Sequence, residues 1–492
     1  MNMDKALRRL SIAGMLLIVV LMVNINYVQG SEADKLRTDQ RNSRQFTDNF
    51  TRDRGKIMAG SLTLAESYKA NKNDKNYLRR YLDNAAAFYP ITGVFLPNGT
   101  PLGLEQSYNQ LLSGTDKKIT VKSWFDSFVG KKPAGANVIT TIDPDAQRKA
   151  YQLLKGSTDR RAGAAVIDIK TGAVKVMAGY PSLDTKTVSD QVSSAQAVKT
   201  FDATAKKKFD PTTDKAADDP VFPGSSFKIV VAAAMLEKGG LNENSTVQTK
   251  DLILDSGNKL PNDPGAACDG RDTTFRLAFA NSCNSTFGRF AKELGAPALS
   301  DIAKKFGFES PIVLSDKPNL LQTTPSTMDA VHHKADKLSG DLLARTGIGQ
   351  QDTQATPLQM AAVAAAVADN GKLFKPYLVD KIVGPNGEDL GDANPTSTQA
   401  ISSSSASQLQ DMMRAVVSEG TAKNLQGQNV AGKTGTAERG VPGVSLNDRW
   451  FVGFYPADAP KYAFAVMTEG SGFGATAAGP LAAQIVQAVH SK

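Results

Sequence analysis

Apolar positions along this chain form one long run at the N-terminus, then a polar stretch, then many short segments of mixed period. Leu10 to Val23 is almost wholly apolar, continues through Asn24-Ile25-Asn26 to Val28, and follows Lys5, Arg8 and Arg9. About 20 such residues cross a bilayer, and the preceding basic residues are expected to stay cytoplasmic. A cleaved signal peptide is the competing reading, but Val28-Gln29-Gly30 is a poor small-x-small site, which favours an uncleaved anchor. The expectation is a cytoplasmic tail over 1–9, a membrane anchor over 10–28, and everything later outside the cytoplasm.

Beyond the anchor, residues 31 to about 70 are charged, with apolar positions at helical spacing only in places. Tyr81 to Gly93 predicts a short helix and a turn, and Ala134 to Leu154 a strand, a turn at Asp143-Pro144 and a helix. A hairpin follows, with strands Ala162 to Ile169 and Ala173 to Gly179 about the turn Lys170-Thr171-Gly172. Asp184 to Asp219 is polar and predicted to be an exposed excursion. Helices are predicted over Pro357 to Asp369, Ser405 to Ser418 and Leu481 to Val489. Strands are predicted over Val430 to Thr436, Trp450 to Tyr455 and Tyr462 to Thr468. Strands, then helices, then strands with a closing helix describe an α+β domain whose sheet joins distant parts of the chain.

At 492 residues the chain calls for two or three domains, and 41% hydrophobic with 22% charged residues is a globular composition. The net charge of +8 is scattered, without an aromatic-interleaved basic stripe, so nucleic acid is not expected as a partner. An anionic lipid surface or an anionic polymer suits the same charge. Cys268 and Cys283 are the only cysteines, and with His332, His333 and His490 they build no metal-ligand pattern. No metal or cofactor is expected. A Cys268–Cys283 bridge in an oxidising compartment and two separate buried thiols are both open.

The candidate chemistry centres on Pro223-Gly224-Ser225-Ser226-Phe227-Lys228, where a loop enters the helix-forming run Ile229 to Leu236. Ser225 is expected in the first helical turn, with the Lys228 amine three residues on within reach of its hydroxyl. A serine needs a base to act as a nucleophile near neutral pH, and a lysine serves if burial or a neighbouring cation depresses its pKa. The spacing alone is weak, because Ser256-Gly257-Asn258-Lys259 repeats it in a loop. Two more triplets matter: Ser282-Cys283-Asn284 after the helix-like Phe275 to Ala280, and Lys433-Thr434-Gly435 on a predicted strand, followed by Thr436. Ser256-Gly257-Asn258, Ser445-Leu446-Asn447 and Lys170-Thr171-Gly172 are decoys in loops or turns. One set alone runs in the order helix-start Ser-x-x-Lys, Ser-x-Asn, then Lys-Thr-Gly on a strand.

That ordered set resembles the penicillin-binding proteins and serine β-lactamases. PGSSFK, NSCNSTF, RTGIGQQ with ATPLQMA, AGKTGTAE and RWFVGFYP look like a class B penicillin-binding protein of the compact actinobacterial type, as do ITTIDPDAQ and AAVIDIKTGAVKVMAGYPSLD. The resemblance covers most of 134–492 and is weaker over 30–133, where RGKIMA and RRYLDNAAAFYPITG echo the pedestal. It implies a pedestal over 29–155 and, over 156–492, a transpeptidase domain built on an antiparallel sheet with helices. It implies an enzyme that cross-links peptidoglycan stem peptides and is acylated by β-lactam antibiotics. Ser225 would attack the penultimate D-alanine carbonyl of a D-Ala-D-Ala donor, Lys228 take its proton, and Ser282 relay a proton to the leaving amine. Asn284 would bond substrate and Lys228, and Lys433 would depress the Lys228 pKa and attract the substrate carboxylate, with the Thr434 and Thr436 hydroxyls binding it. Gly435 would leave room for close approach, and the N–H groups of Ser225 and Thr436 would form the oxyanion hole. A membrane polymerase of the SEDS family is the partner the resemblance implies.

Three rivals share the acylation chemistry. A class A β-lactamase needs a carboxylate to activate water, and Glu237, the one Glu near a Leu-Asn, sits just after the nucleophile helix at the wrong spacing. A D,D-carboxypeptidase differs only in using water as acceptor. A β-lactam sensor or scaffold would not need Lys228, Ser282 and Lys433 together. Thr346 to Gln350 reads as a tight turn or a cleft border, Trp450 to Tyr455 as core strand, and Gly470 to Gly474 as a loop, flexing near the site or plain.

Overall fold

The computed structural model describes residues 3–32, 51–96, 101–120, 134–189, 194–263, 268–315, 321–329, 331, 334–439 and 446–490. His332, His333 and Ser445 lie outside the described residues, as do most of 31–50 and part of the polar excursion at 190–193. The chain divides into two compact units, residues 1–52 with 69–78, and residues 53–68 with 79–492.

The first unit contains helix α1 (Met3–Ser31), longer at both ends than the apolar run. Its segment Leu7–Ser31 is long and apolar enough to cross a membrane, and Leu10, Met15 and Val20 project outward unburied. Isolated apolar side chains at this density are unstable against water, and a lipid environment removes that cost.

The second unit carries two large sheets and three two-stranded ones among the described residues. Strands β1 (Ile57–Ala59), β2 (Leu62–Tyr68), β3 (Leu78–Tyr81) and β4 (Asn137–Thr140) form four strands of a six-stranded sheet. Strand β4 runs parallel to β1 and returns from 78 residues further along the chain, Ile57 facing Val138. A hairpin of β7 (Val379–Val383) and β8 (Asp389–Asp392) completes this sheet, β7 pairing antiparallel with β4 and β8 forming the edge beyond it. Beside it, helix α2 (Ala85–Thr92) is buried through Phe88, Tyr89 and Ile91. Glu105, fully buried, receives Arg54 Nε and Arg79 Nε at 2.7 Å each. Two guanidiniums around one carboxylate are tolerable in an interior only because the pairs are also hydrogen-bonded.

The other sheet has five antiparallel strands in the order β9 (Ala431–Glu438), β10 (Asn447–Tyr455), β11 (Tyr462–Gly470), β5 (Ala162–Asp168) and β6 (Val174–Tyr180). The two strands of the predicted hairpin and the three late strands make up all five of its members. Strands β10 and β11 are buried on both faces, because helices cover both. Helix α6 (Pro357–Ala368), buried along its whole length, packs on β11, β5 and β10, while α3 (Pro144–Ser157) and α8 (Gly474–His490) pack together, α3 against β6 and α8 against β10 and β11. Local chemistry sets the helix starts. Asp143 caps α3 by accepting from Asp145 N and Ala146 N, and Thr356 caps α6 by accepting from Gln359 N, each with proline at the next position. Helix α7 (Ser403–Ser418) begins at Ser402 in the same way.

Candidate active site

Ser225 lies in a single 3-10 turn, Gly224–Phe227, that leads directly into helix α4 (Lys228–Lys238). The expected first α-helical turn is therefore tighter than an α-helix. Ile229 to Met235 are all buried, so the helix is driven into the core by its apolar side chains, and Lys228 at its head goes with them. Ser225 itself stays half-buried. The turn is braced from three directions: Ser226 Oγ donates to Pro223 O (2.7 Å), Gly224 N to Gly349 O (2.9 Å) and Trp450 Nε1 to Phe222 O (2.8 Å).

Two glycines let strand β9 touch that turn. A Cβ on Gly435 would sit 2.6 Å from Pro223 O, and one on Gly224, at φ +52°, would sit 2.5 Å from Thr436 O. Strand β9 is the sheet's edge, so it presents backbone groups toward Ser225 that no further strand claims.

The Lys228 amine does not bond Ser225. Its Nζ lies 2.7 Å from Ser282 O, 3.1 Å from Ser282 Oγ and 2.7 Å from Asn284 Oδ1, and among the described residues Ser225 Oγ makes no hydrogen bond. The expected i to i+3 contact is replaced by cross-links to the Ser-x-Asn motif, because the buried amine turns toward the densest set of acceptors. Ser282 sits in the left-handed region at φ +62°, between the helix Phe275–Ala280 and helix α5 (Asn284–Leu294). That conformation costs a serine about 1–2 kcal/mol and aims both its carbonyl and its hydroxyl at one amine. Cys283 and Cys268 form a disulfide with Cα atoms 5.5 Å apart, which resolves the open pair of readings.

Burial pushes the Lys228 amine well below the ordinary lysine range; the positive Lys433 pushes the same way and Asp263 opposes it. Lys433 is also fully buried, and burial lowers it to about 7, again against Asp263. Lys433 Nζ donates to Thr434 O at 3.1 Å and stands 5.8 Å from the centre of the Phe279 ring. The Thr434 hydroxyl shares a 2.7 Å hydrogen bond with Thr421, and Thr436 Oγ1 accepts from Gly474 N at 3.3 Å. Thus Ser225, Lys228, Ser282, Asn284, Lys433, Thr434, Gly435 and Thr436 are gathered by one turn, two helix ends and one strand edge.

The decoys fall elsewhere. Ser256 N donates to Asp341 in a surface loop, and Lys170 pairs with Asp369 at a hairpin turn. The Glu237 carboxylate accepts from Ser402 N and Oγ at the head of α7, so it is committed to a helix cap. The Thr346 to Gln350 stretch is a structural turn backing Gly224, Trp450 is core, and the loop at 471–474 reaches Thr436 through Gly474. Thr421 and Asp263 went unrecognised in the sequence. Neither belongs to a motif, and each reaches the site from a loop brought in by folding.

A serine on a tight turn, faced by two buried lysines of depressed basicity and by an edge strand, defines an acyl-transfer site of the penicillin-binding type. The family model "Penicillin binding protein transpeptidase domain" matches residues 162–489, and the chain belongs to that family. Residues 54–138 match the "Penicillin binding protein A dimerisation domain". Over its whole length the chain is similar to the peptidoglycan D,D-transpeptidase PbpA of Mycolicibacterium smegmatis, 34% identical over 99% of this chain and 98% of that one. The Mycobacterium tuberculosis PbpA is 33% identical over the same shares. The crystal structure of PBPA from M. tuberculosis superposes with a TM-score of 0.80 at 29% identity, covering 90% of this chain and 100% of that one. A structure of the same mycobacterial protein as an imipenem acyl-enzyme complex superposes equally well at 30% identity.

Proposed function

We propose that this chain is a class B penicillin-binding protein, a peptidoglycan D,D-transpeptidase that works through a Ser225 acyl-enzyme. What supports the reading most is the Lys228 amine, buried, depressed in basicity and bonded to Ser282 and Asn284. Ser225 Oγ attacks the penultimate D-alanine carbonyl of a D-Ala-D-Ala stem peptide while its proton passes to Lys228. The N–H groups of Ser225 and Thr436 hold the developing oxyanion, an effect worth about 3–4 kcal/mol per donor. The carbon–nitrogen bond to the terminal D-alanine breaks, and that amine takes a proton relayed by Ser282. An amine on a neighbouring stem peptide then attacks the ester, forming the cross-linking amide and returning the proton to Ser225. Lys433, Thr434 and Thr436 receive the substrate carboxylate, Gly435 lets the strand approach, and Asn284 bonds the donor backbone. A β-lactam enters the same cycle and stays as a stable ester, since Glu237, the carboxylate nearest a hydrolytic pattern, is occupied at a helix cap.

We read the tail as 1–9, the anchor as 10–28, the pedestal as 29–155 and the transpeptidase domain as 156–492, with β7 and β8 lent back to the pedestal's sheet. Lys5, Arg8 and Arg9 favour a cytoplasmic N-terminus and an extracytoplasmic catalytic domain. A membrane polymerase of the SEDS family is the partner this placement suits. Protease accessibility of residues beyond 32 in intact cells tests the topology.

A fluorescent penicillin is expected to label Ser225, and Ser225→Ala to abolish the label. Label on the alanine variant would overturn the site. A donor stem peptide offered with an amine acceptor should yield the cross-linked dimer; free tetrapeptide alone would mark a carboxypeptidase instead.

A further inference from the structure

Among the described residues one carboxylate acts on both lysines, and it has no place in the chemistry above. Asp263 Oδ1 accepts from Asn284 Nδ2 at 3.3 Å, while Asn284 Oδ1 accepts from Lys228 at 2.7 Å. An amide has one accepting and one donating end, so a carboxylate on the nitrogen side leaves the oxygen side for the lysine. The described residues on either side of Asp263 in the sequence, Asn262 and Cys268, are each tied to the Ser-x-Asn region. On one side Asn262 accepts from Ser285 N (3.0 Å) and Ser285 Oγ (3.1 Å) and donates to Cys268 O (3.0 Å). On the other, Cys268 is bonded to Cys283, the middle residue of the Ser-x-Asn motif.

We propose that Asp263 is a positioning residue for acylation, orienting the Asn284 amide toward Lys228 and setting the field at both lysines, and that the Cys268–Cys283 disulfide holds it there. Around Lys228 the charged groups are Lys433 and Asp263, and around Lys433 the opposing charge is Asp263. Asp263 raises both amines, so its loss lowers both. Lys228 then frees its lone pair at lower pH, and Lys433 loses its charge at lower pH. The whole bell of acylation rate against pH moves toward acid. Because Asp263 is exposed, salt screens it, and high ionic strength should move the parent profile in the same direction.

The proposal rests on Ser225 being the acylated residue, and the test separates the two. Second-order acylation by a fluorescent penicillin is measured from acid to alkaline pH for the full-length parent, Asp263→Asn, Asp263→Glu, Cys268→Ala and the double variant Cys268→Ala/Asp263→Asn. Expected results are an acid-shifted profile for D263N at unchanged Tm, recovery of the parent profile by D263E, and the same direction of shift for Cys268→Ala. The double variant should move no further than D263N, and gentle reduction of the parent should mimic Cys268→Ala without a substitution. A D263N profile that overlays the parent's overturns the role of Asp263. Additive shifts in the double variant overturn the role of the disulfide in holding it. A parent that takes no label at all is a failure of the acyl-enzyme reading instead.

Discussion

Lys228 Nζ lies 2.7 Å from the main-chain carbonyl of Ser282, a serine held at φ +62°. The two residues are 54 positions apart, yet the strained backbone of one supplies the acceptor that fixes the amine of the other. Ser282 therefore contributes through its conformation and through its hydroxyl, and the two contributions separate experimentally. Ser282→Gly relieves the left-handed strain, worth about 1–2 kcal/mol, and should raise Tm relative to Ser282→Ala. Both variants lose the hydroxyl, so both should lose cross-linking to a similar extent. Recovery of turnover by glycine would show that the backbone alone matters.

Replacing the proposed base should be costly. Lys228→Met keeps the buried length and removes the amine, and acylation by penicillin is expected to fall by about a hundred- to ten-thousand-fold. The Tm should hold or rise, since a buried amine is exchanged for an apolar chain. Unimpaired acylation, measured by stopped-flow fluorescence, would remove Lys228 from the mechanism.

The pH profile carries a sign. In its proposed role Lys433 attracts a carboxylate only while charged, and burial brings it to about 7. In its proposed role Lys228 acts as a base only while neutral, and burial with the Lys433 charge keeps it so far below the usual range. In the free enzyme, second-order acylation should therefore fall as pH rises through about 7, with Lys433→Met flattening that limb. A limb unchanged in the variant would assign the titration elsewhere.

Contact between turn and strand depends on two missing side chains. Gly435→Ala puts a methyl 2.6 Å from Pro223 O and pushes the nucleophile turn off the strand edge. A displacement of about 1 Å costs on the order of a hundredfold in rate, so acylation should drop by that order while the protein remains folded. Near-normal acylation of the alanine variant would mean that the turn does not need the strand.

In the region that matches the dimerisation domain, burial alone would raise the Glu105 carboxyl, but the charges and hydrogen bonds of Arg79 and Arg54 outweigh it and hold it below the usual range. A depressed acid stabilises the fold above its unfolded pKa, and that stability is lost as pH falls through the folded value. Glu105→Gln leaves two buried guanidiniums facing a neutral amide and should cost about 3–5 kcal/mol by denaturant unfolding at neutral pH. The gap between variant and parent should narrow in acid, and a constant gap would refute the account.

Much of this protein is legible in its residues alone because local physics decides it. The long N-terminal helix follows from an apolar run, the helix starts from Asp143-Pro144 and Thr356-Pro357, and the strands of the five-stranded sheet from short apolar runs between turn residues. The order of Ser225-x-x-Lys228, Ser282-x-Asn284 and Lys433-Thr434-Gly435 was enough to discard the decoys and point to a family. Tertiary structure decided the rest, because it depends on groups with no local relation. Only packing could turn Lys228 away from Ser225 toward Ser282 and Asn284, since the nearest acceptors for a buried amine lie where a distant turn enters another helix. Only the sheet's register could show why Gly435 faces the Ser225 turn, or send residues 379–383 back to pair with 137–140. Asp263 and Thr421 carry no motif because a charge or a hydroxyl on a loop acquires its role from what folding brings beside it.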